Sequence, residues 1–139
     1  MKGDDIATRL RGLAVGVIRL CRTMPDDVAA KHVSRQLVRT ATGAGANYEE
    51  ARGAESRADF VHKLGIANKE LREALYWLQL TREATLLVDD ELERLAREAY
   101  ELVAILTASI NTTKRGVATV SGEQEPRART SSSTGTRSA

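Results

Sequence analysis

Apolar residues recur every three or four positions along most of this chain and divide it into four segments. Such steps place side chains on one face of an α-helix, and no segment shows the period of two typical of a β-strand. The pattern predicts four helices, the first over residues 6–22 and the second from about Val28. The predicted inward-facing stripes are Ile6, Leu10, Leu13, Ala14, Val17, Ile18 and Cys21; Val33, Leu37, Ala41, Ala44 and Tyr48; Phe60, Leu64, Ala67, Leu71, Ala74, Leu75 and Leu78; and Leu92, Leu95, Ala96, Ala99, Leu102, Val103, Leu106 and Ile110.

Short polar stretches carry the signals that start and stop these helices. Pro25 ends the first helix, because proline disfavours helix at the residue before it, and Asp26 or Asp27 can cap the second. Ser56 and Asp59 have the spacing of a capping box and open the third helix after a polar break. The connections are therefore short, as antiparallel neighbours require.

The end of the chain differs in composition from the four segments. The fourth helix begins at Asp89 or Asp90, and Gly116 stands where a C-terminal cap is expected. Four amphipathic helices with short connections predict an all-α fold, an antiparallel up-down-up-down four-helix bundle over residues 1–115. Residues 116–139 contain five Ser, four Thr and three Gly but only two large apolar residues, so they are predicted to form a disordered Ser/Thr/Arg-rich tail.

The stretch TATGAGANYEEA, residues 40–51, places two glycines inside the second apolar stripe. A phosphate-binding glycine loop would follow a strand and precede a helix, and the sequence supplies neither that strand nor the rest of such a motif. Each glycine within a helix costs about 1 kcal/mol relative to alanine. We therefore expect Gly43 and Gly45 to mark a narrow part of the helix where a neighbour packs closely. Asn47 and Glu50 share a face there and are either structural or partner-facing.

Charge is unevenly distributed, although the net charge is only +2. Residues 6–39 include seven basic and two acidic residues, a balance of +5, whereas residues 70–101 include four arginines and nine acidic residues, a balance of −5. Clustered Lys and Arg suit contact with phosphates; the alternative is a solvated face or salt bridges to the acidic helices. The candidate nucleic-acid contacts are a ridge of Lys31, Arg35 and Arg39, extended by Arg11, Arg19 and Arg22.

The third helix carries more apolar residues than one stripe needs. Ile66, Trp77 and Leu80 lie roughly 110–170° from the centre of its stripe at 100° per residue, and Tyr76 lies nearby. A second apolar face with an aromatic residue is typical of a subunit interface, whereas a Trp77 at the edge of the core is the alternative. The sequence predicts a homo-oligomer with these four residues in its interface.

Few residues offer catalytic or metal-binding chemistry. Cys21 is the single cysteine and falls on an apolar face, where a small buried hydrophobe is expected rather than a nucleophile. His32 and His62 are the two histidines, and the chain has no Glu-x-x-His pair of the kind a di-iron bundle uses. We predict no enzyme activity, no metal, no cofactor and no small-molecule substrate. Because the sequence shows neither a membrane-spanning apolar run nor a signal-peptide pattern, we expect a cytoplasmic protein without a membrane partner.

Residues 36–80 resemble the four-helix bundle proteins related to the 23S rRNA intervening-sequence proteins. Several motifs occur in order at matching separations, and the similarity extends more weakly over the first and last helices to about residue 114. The motifs are Gln36, Leu37, Arg39 and Ala41; Ala46, Asn47 and Glu50; Ser56, Asp59 and Phe60; and Lys69, Glu70, Glu73, Tyr76 and Trp77.

The resemblance implies an antiparallel bundle, often a homopentamer, with no known catalytic residues. Some family members are encoded within intervening sequences of bacterial large-subunit rRNA genes. A related group, the accessory variability determinants of diversity-generating retroelements, looks similar in architecture and binds a reverse transcriptase and nucleic acid through a basic surface. The expected function is therefore a non-catalytic oligomeric bundle that binds RNA or DNA, as an accessory to a reverse transcriptase or an rRNA-associated element. The alternative is a protein-interaction scaffold or homo-oligomer with no nucleic-acid role.

Overall fold

Four helices and no strand make up the described part of the chain, which confirms the predicted all-α class. The structure is a computed structural model that describes residues 2–123, with side chains described for residues 2–116. The helices are α1 (Gly3–Cys21), α2 (Val28–Arg52), α3 (Arg57–Glu83) and α4 (Asp90–Glu123).

Each helix packs against two others, so the four form a square in which α1 closes against α4. Neighbouring helices run antiparallel. Between α1 and α2, a β-carbon built on Gly45 would lie 3.8 Å from Cβ of Leu10, while eleven residues later in α1 the thiol of Cys21 donates to the carbonyl of Ser34 at 3.7 Å. Contacts across α3 and α4 show the same inverse order. The predicted up-down-up-down topology is confirmed.

Side-chain caps fix the starts of α2 and α3. Asp27 Oδ1 accepts a hydrogen bond from the backbone N–H of Ala30 at 2.8 Å, so Asp27 rather than Asp26 caps α2. Ser56 Oγ accepts from the backbone N–H of Asp59 at 3.0 Å, as the capping-box spacing predicts.

The start of α4 agrees with the sequence-based prediction, but its end does not. Asp89 Oδ1 accepts from the backbone N–H of Glu91 at 2.8 Å and caps the start of α4. The helix continues through Gly116 to Glu123, so the prediction that this glycine ends it is wrong. Glycine only lowers helix propensity, and no proline follows to force a stop before residue 126. Residues 124–139 of the predicted tail lie outside the described residues.

The predicted stripes form the core. Every member of the α2 stripe, from Val33 to Tyr48, is at most 4% exposed, and the leucines of the other stripes are buried apart from Leu75. The stripe positions that lie half-buried at its rim are Ala14, Ile18, Cys21, Phe60, Leu75, Val103 and Ile110.

The two glycines of the narrow part of α2 face different neighbours. Gly45 lies against the backbone of α1 at Leu10, at ordinary van der Waals distance. Gly43 lies against α3, where a β-carbon would be 3.2 Å from Oε2 of Glu70. The close approach expected from the sequence is therefore found at Gly43, against a side chain of α3, whereas the contact at Gly45 leaves room for a methyl group.

Candidate functional site

The outer surface of α1 and α2 contains no acidic residue over residues 6–22 and 28–48. Cys21 and Ser34 are in contact across this helix pair, and each is followed by an arginine. One residue further along a helix is 100° further around it, so Arg22 and Arg35 both turn outward from the contact, and both are exposed.

Arg11 lies on the same flank of α1, towards its other end. It follows Leu10, which faces Gly45 of α2, and its side chain is exposed. Eleven residues separate it from Arg22, or about 16 Å along the helix axis. We call Arg11, Arg22 and Arg35 the α1–α2 basic face; none of the three has an ion-pair partner among the described residues.

The predicted α2 ridge is not a row of three unpaired cations. Arg39 turns towards α3, where its Nη2 lies 2.9 Å from both carboxylate oxygens of Glu73 and its Nη1 lies 3.5 Å from Glu70. Lys31 Nζ lies 2.7 Å from Asp26. All these groups are partly exposed, so the pairs contribute little stability, but they reduce the local positive charge.

Two other arginines of α1 are directed at α4. Arg9 Nε donates to Glu98 at 2.7 Å, and its Nη2 lies 3.2 Å from Glu101. Burial alone would lower the pKa of Arg9, but these two carboxylates outweigh it and raise that pKa. The predicted contact Arg19 is exposed. The pKa of Glu91 is lowered, mainly by its hydrogen bond with Arg94 and in a smaller part by the positive charge of Arg19.

The four residues of the predicted oligomer interface meet different neighbouring helices, although the rings of Tyr76 and Trp77 contact each other edge-on with centroids 4.9 Å apart. Trp77 and Leu80 are half-buried against the core, and the Trp77 ring meets His32 of α2 edge-on at 5.7 Å. Ile66, 38% exposed, follows the same α2-side edge by helical phase. Tyr76 is 53% exposed and lines a groove on the α4 side. Trp77 thus lies at the rim of the core, and Ile66 and Tyr76 are the outward-facing members.

Among the described residues, no hydrogen bond or ion pair of the Asn47 or Glu50 side chain joins α2 to another helix. Asn47 Nδ2 donates to the carbonyl of Gly43 in the same helix at 2.8 Å. Glu50 is exposed and has no polar partner in the described part of the chain. No polar contact between helices therefore supports the structural alternative, and both alternatives for the pair stay predictions.

Chemistry-bearing side chains are dispersed. Cys21 is half-buried, and burial raises the pKa of its thiol against the smaller effect of its bond to Ser34. Over residues 2–116, no three His, Cys, Asp or Glu side chains are grouped to hold a metal ion. None of the described helices is apolar over a length that would cross a membrane.

Sequence reasoning missed the outer groove between α3 and α4. Tyr100 is 69% exposed at this groove, and it lies outside the predicted α4 stripe, which was the available signal. Beneath the groove, Asn68 is 7% exposed and its Nδ2 donates to Thr107 Oγ1 at 3.1 Å. Helical phase identifies an exposed aromatic, but it does not reveal that Tyr76 lines the same groove.

Comparisons with known proteins agree with the region of resemblance. A sequence model described as 23S rRNA-intervening sequence protein matches residues 4–108. A similar solved structure is a protein with unknown function from the S23 ribosomal protein family of Bacteroides thetaiotaomicron VPI-5482, with 32% identity and a TM-score of 0.72. The match covers 80% of this chain and 99% of that chain. None of the curated proteins matches significantly.

Proposed function

This chain belongs to the 23S rRNA-intervening sequence protein family, and we propose that it is a non-catalytic bundle that binds RNA or DNA through the α1–α2 basic face. The observation that carries the proposal is the set of Arg11, Arg22 and Arg35, which are exposed and have no ion-pair partner among residues 2–116, on helix segments 6–22 and 28–48 that contain no acidic residue. Arginines spaced along two antiparallel helices suit a rod-like polyanion aligned with them, because each guanidinium can meet a phosphate.

The α1–α2 basic face favours contact with the phosphate backbone over contact with bases. α1 contains no aromatic residue, and Tyr48 of α2 is 4% exposed. Binding to single strands commonly uses aromatic rings on which bases stack. We therefore expect binding with little dependence on nucleotide sequence.

Titration of a fluorescent duplex at several salt concentrations tests the proposal. Changing Arg11, Arg22 and Arg35 together to Ala should weaken binding and reduce the log–log salt slope by about 0.9 for each lost phosphate contact. The matched control changes Arg57, Arg72 and Arg97 of α3 and α4 to Ala, which removes the same charge from other surfaces. If the first variant binds the duplex with the same affinity and the same salt slope as the wild type, the α1–α2 basic face does not bind nucleic acid.

A second candidate is a homo-oligomeric protein-interaction scaffold, and the resemblance points to a pentamer. The exposed apolar side chains of Ile66 and Tyr76 on α3 favour contact with another chain. Sedimentation velocity tests assembly, and Ile66→Glu should dissociate an oligomer built on the α2-side edge. A monomer at working concentration would exclude self-association.

An accessory role beside a reverse transcriptase or an rRNA-associated element is the biological setting that the resemblance implies. The test is the genomic neighbourhood: a reverse-transcriptase gene or an rRNA intervening sequence beside this gene supports the role.

A further inference from the structure

An open groove runs along the outer surface between α3 and α4, away from the α1–α2 basic face. It consists of two adjoining depressions of about 660 and 510 Å³ that share Leu75, Gln79, Tyr100 and Ala104. Its lining on α4 extends from Glu93 to Asn111, about 27 Å along the axis. This length matches a helix of about five turns.

The lining of the groove has the composition of a helix-binding surface. Leu75 and Val103 are half-buried at its floor, and Ala104 is small enough to let another backbone approach. Tyr76 and Tyr100 stand at its sides, 53% and 69% exposed. Exposed tyrosines beside an apolar floor are frequent anchors in protein interfaces, and a groove of this shape accepts the apolar face of an amphipathic helix.

The unpaired charges of the groove are positive. Its carboxylates, Glu93 and Glu101, pair with Arg82 and Arg9. Its other arginines, Arg72 and Arg97, have no ion-pair partner within residues 2–116 and are exposed. An occupant with acidic residues beside its apolar face is therefore complementary.

Two occupants from this chain fit these charges poorly. Residues 124–139 contain three arginines against one glutamate and no large apolar side chain. A second copy that presents its α1–α2 basic face would bring arginines to arginines. We propose that the α3–α4 groove binds an amphipathic helix of another protein, with its apolar face between Tyr76 and Tyr100 and its acidic residues at Arg72 and Arg97.

Selection from a displayed library tests this inference. Helical peptides of about 20 residues, which span about 30 Å, would be randomised on all faces, selected on the full-length chain and counter-selected on its Tyr100→Glu variant. The expected survivors carry apolar residues at i, i+3 or i+4 and i+7, flanked by Asp or Glu. A purified survivor should bind Tyr100→Ala at least ~10-fold more weakly than wild type.

Charge reversals separate the acidic contacts from general attraction. Arg72→Glu and Arg97→Glu should each weaken the selected peptide several-fold, while Arg57→Glu, outside the groove, should leave its affinity unchanged. The Arg11, Arg22 and Arg35 triple variant should also bind the peptide normally, so this outcome is independent of nucleic-acid binding. No enrichment, survivors without acidic residues, or equal binding to Tyr100→Ala would overturn the proposal. So would an oligomer that Tyr100→Glu dissociates, because the groove would then be occupied by a second copy.

Discussion

Gly43 of α2 lies directly against the carboxylate of Glu70 on α3, and a β-carbon at this position would be 3.2 Å from Glu70 Oε2. That oxygen is buried and accepts no hydrogen bond from the described residues, although Arg39 Nη1 lies 3.5 Å away. The glycine thus makes room for a half-buried carboxylate that faces an arginine, rather than for a phosphate.

Gly45→Ala should stabilise the protein by about 0.5–1 kcal/mol, because alanine is the better helix former. Its new methyl group would lie at ordinary contact distance from Leu10. Gly43→Ala should stabilise the protein less than Gly45→Ala, or destabilise it, since its methyl group displaces the Glu70 carboxylate. Urea unfolding of both variants measures the difference; a larger gain for Gly43→Ala would contradict this packing.

Gly16→Ala should destabilise the bundle by about 1 kcal/mol, the cost of overpacking less the gain in helix propensity. A β-carbon there would lie 2.5 Å from Cδ2 of Leu95, which is fully buried between α1 and α4. Gly12→Ala is the control on the same helix. Nothing lies within 4 Å of its β-carbon position, so it should raise the thermal midpoint. If both variants raise the thermal midpoint, or both lower it, the close contact between α1 and α4 at Gly16 is contradicted.

Thr85→Gly should stabilise the protein by about 0.5–1 kcal/mol. Thr85 has a φ of 50°, a left-handed conformation that is costly for a β-branched residue. It follows Ala84, the C-cap of α3, and the N–H of Leu86 donates to the carbonyl of Thr81 at 3.0 Å, the pattern of a Schellman motif. Thr85→Ala keeps a β-carbon in this conformation and should bring no such gain. Chemical denaturation of both variants would show it.

Cys21 should react slowly with Ellman's reagent at pH 8. Burial raises the pKa of its thiol, so less of it is thiolate than in the unfolded chain, and the half-buried position also limits access. We expect a rate at least ~10-fold below that of the same chain in urea. Equal rates would mean that the α1–α2 contact opens readily or that Cys21 is not packed there.

Asn47→Ala and Glu50→Ala should each change the free energy of unfolding by less than about 1 kcal/mol. Asn47 bonds only within its own helix in the described contacts, and Glu50 is exposed. If either variant also loses binding to nucleic acid or to another chain while its fold is intact, the pair faces that partner. A loss of several kcal/mol would instead restore the structural alternative.

The helical phase of apolar residues was sufficient to predict the core of this protein. The α2 stripe from Val33 to Tyr48 is buried, as are most residues of the other three stripes. Each helix has one apolar face to bury, and the sequence reveals that face through apolar residues three or four positions apart. The caps at Asp27, Ser56 and Asp89 follow from local chemistry in the same way.

Tertiary packing decided which charges remain unpaired. Lys31, Arg35 and Arg39 are equivalent in the sequence, yet Arg39 meets Glu73 of α3 and Lys31 meets Asp26 in the α1–α2 connection, while Arg35 has no ion-pair partner among the described residues. The Arg39–Glu73 pair depends on the distance between side chains of different helices, which the periodicity of one helix does not contain.

The sequence by itself determined the bundle, because burial of apolar stripes is a property of each helix alone. Only the tertiary structure separated Trp77 at the rim of the core from Tyr76 in the α3–α4 groove, one residue apart in the chain. A step of 100° turns those neighbours to different sides of α3, although their rings still meet edge-on with centroids 4.9 Å apart, and what else each one meets depends on the helix packed beside it.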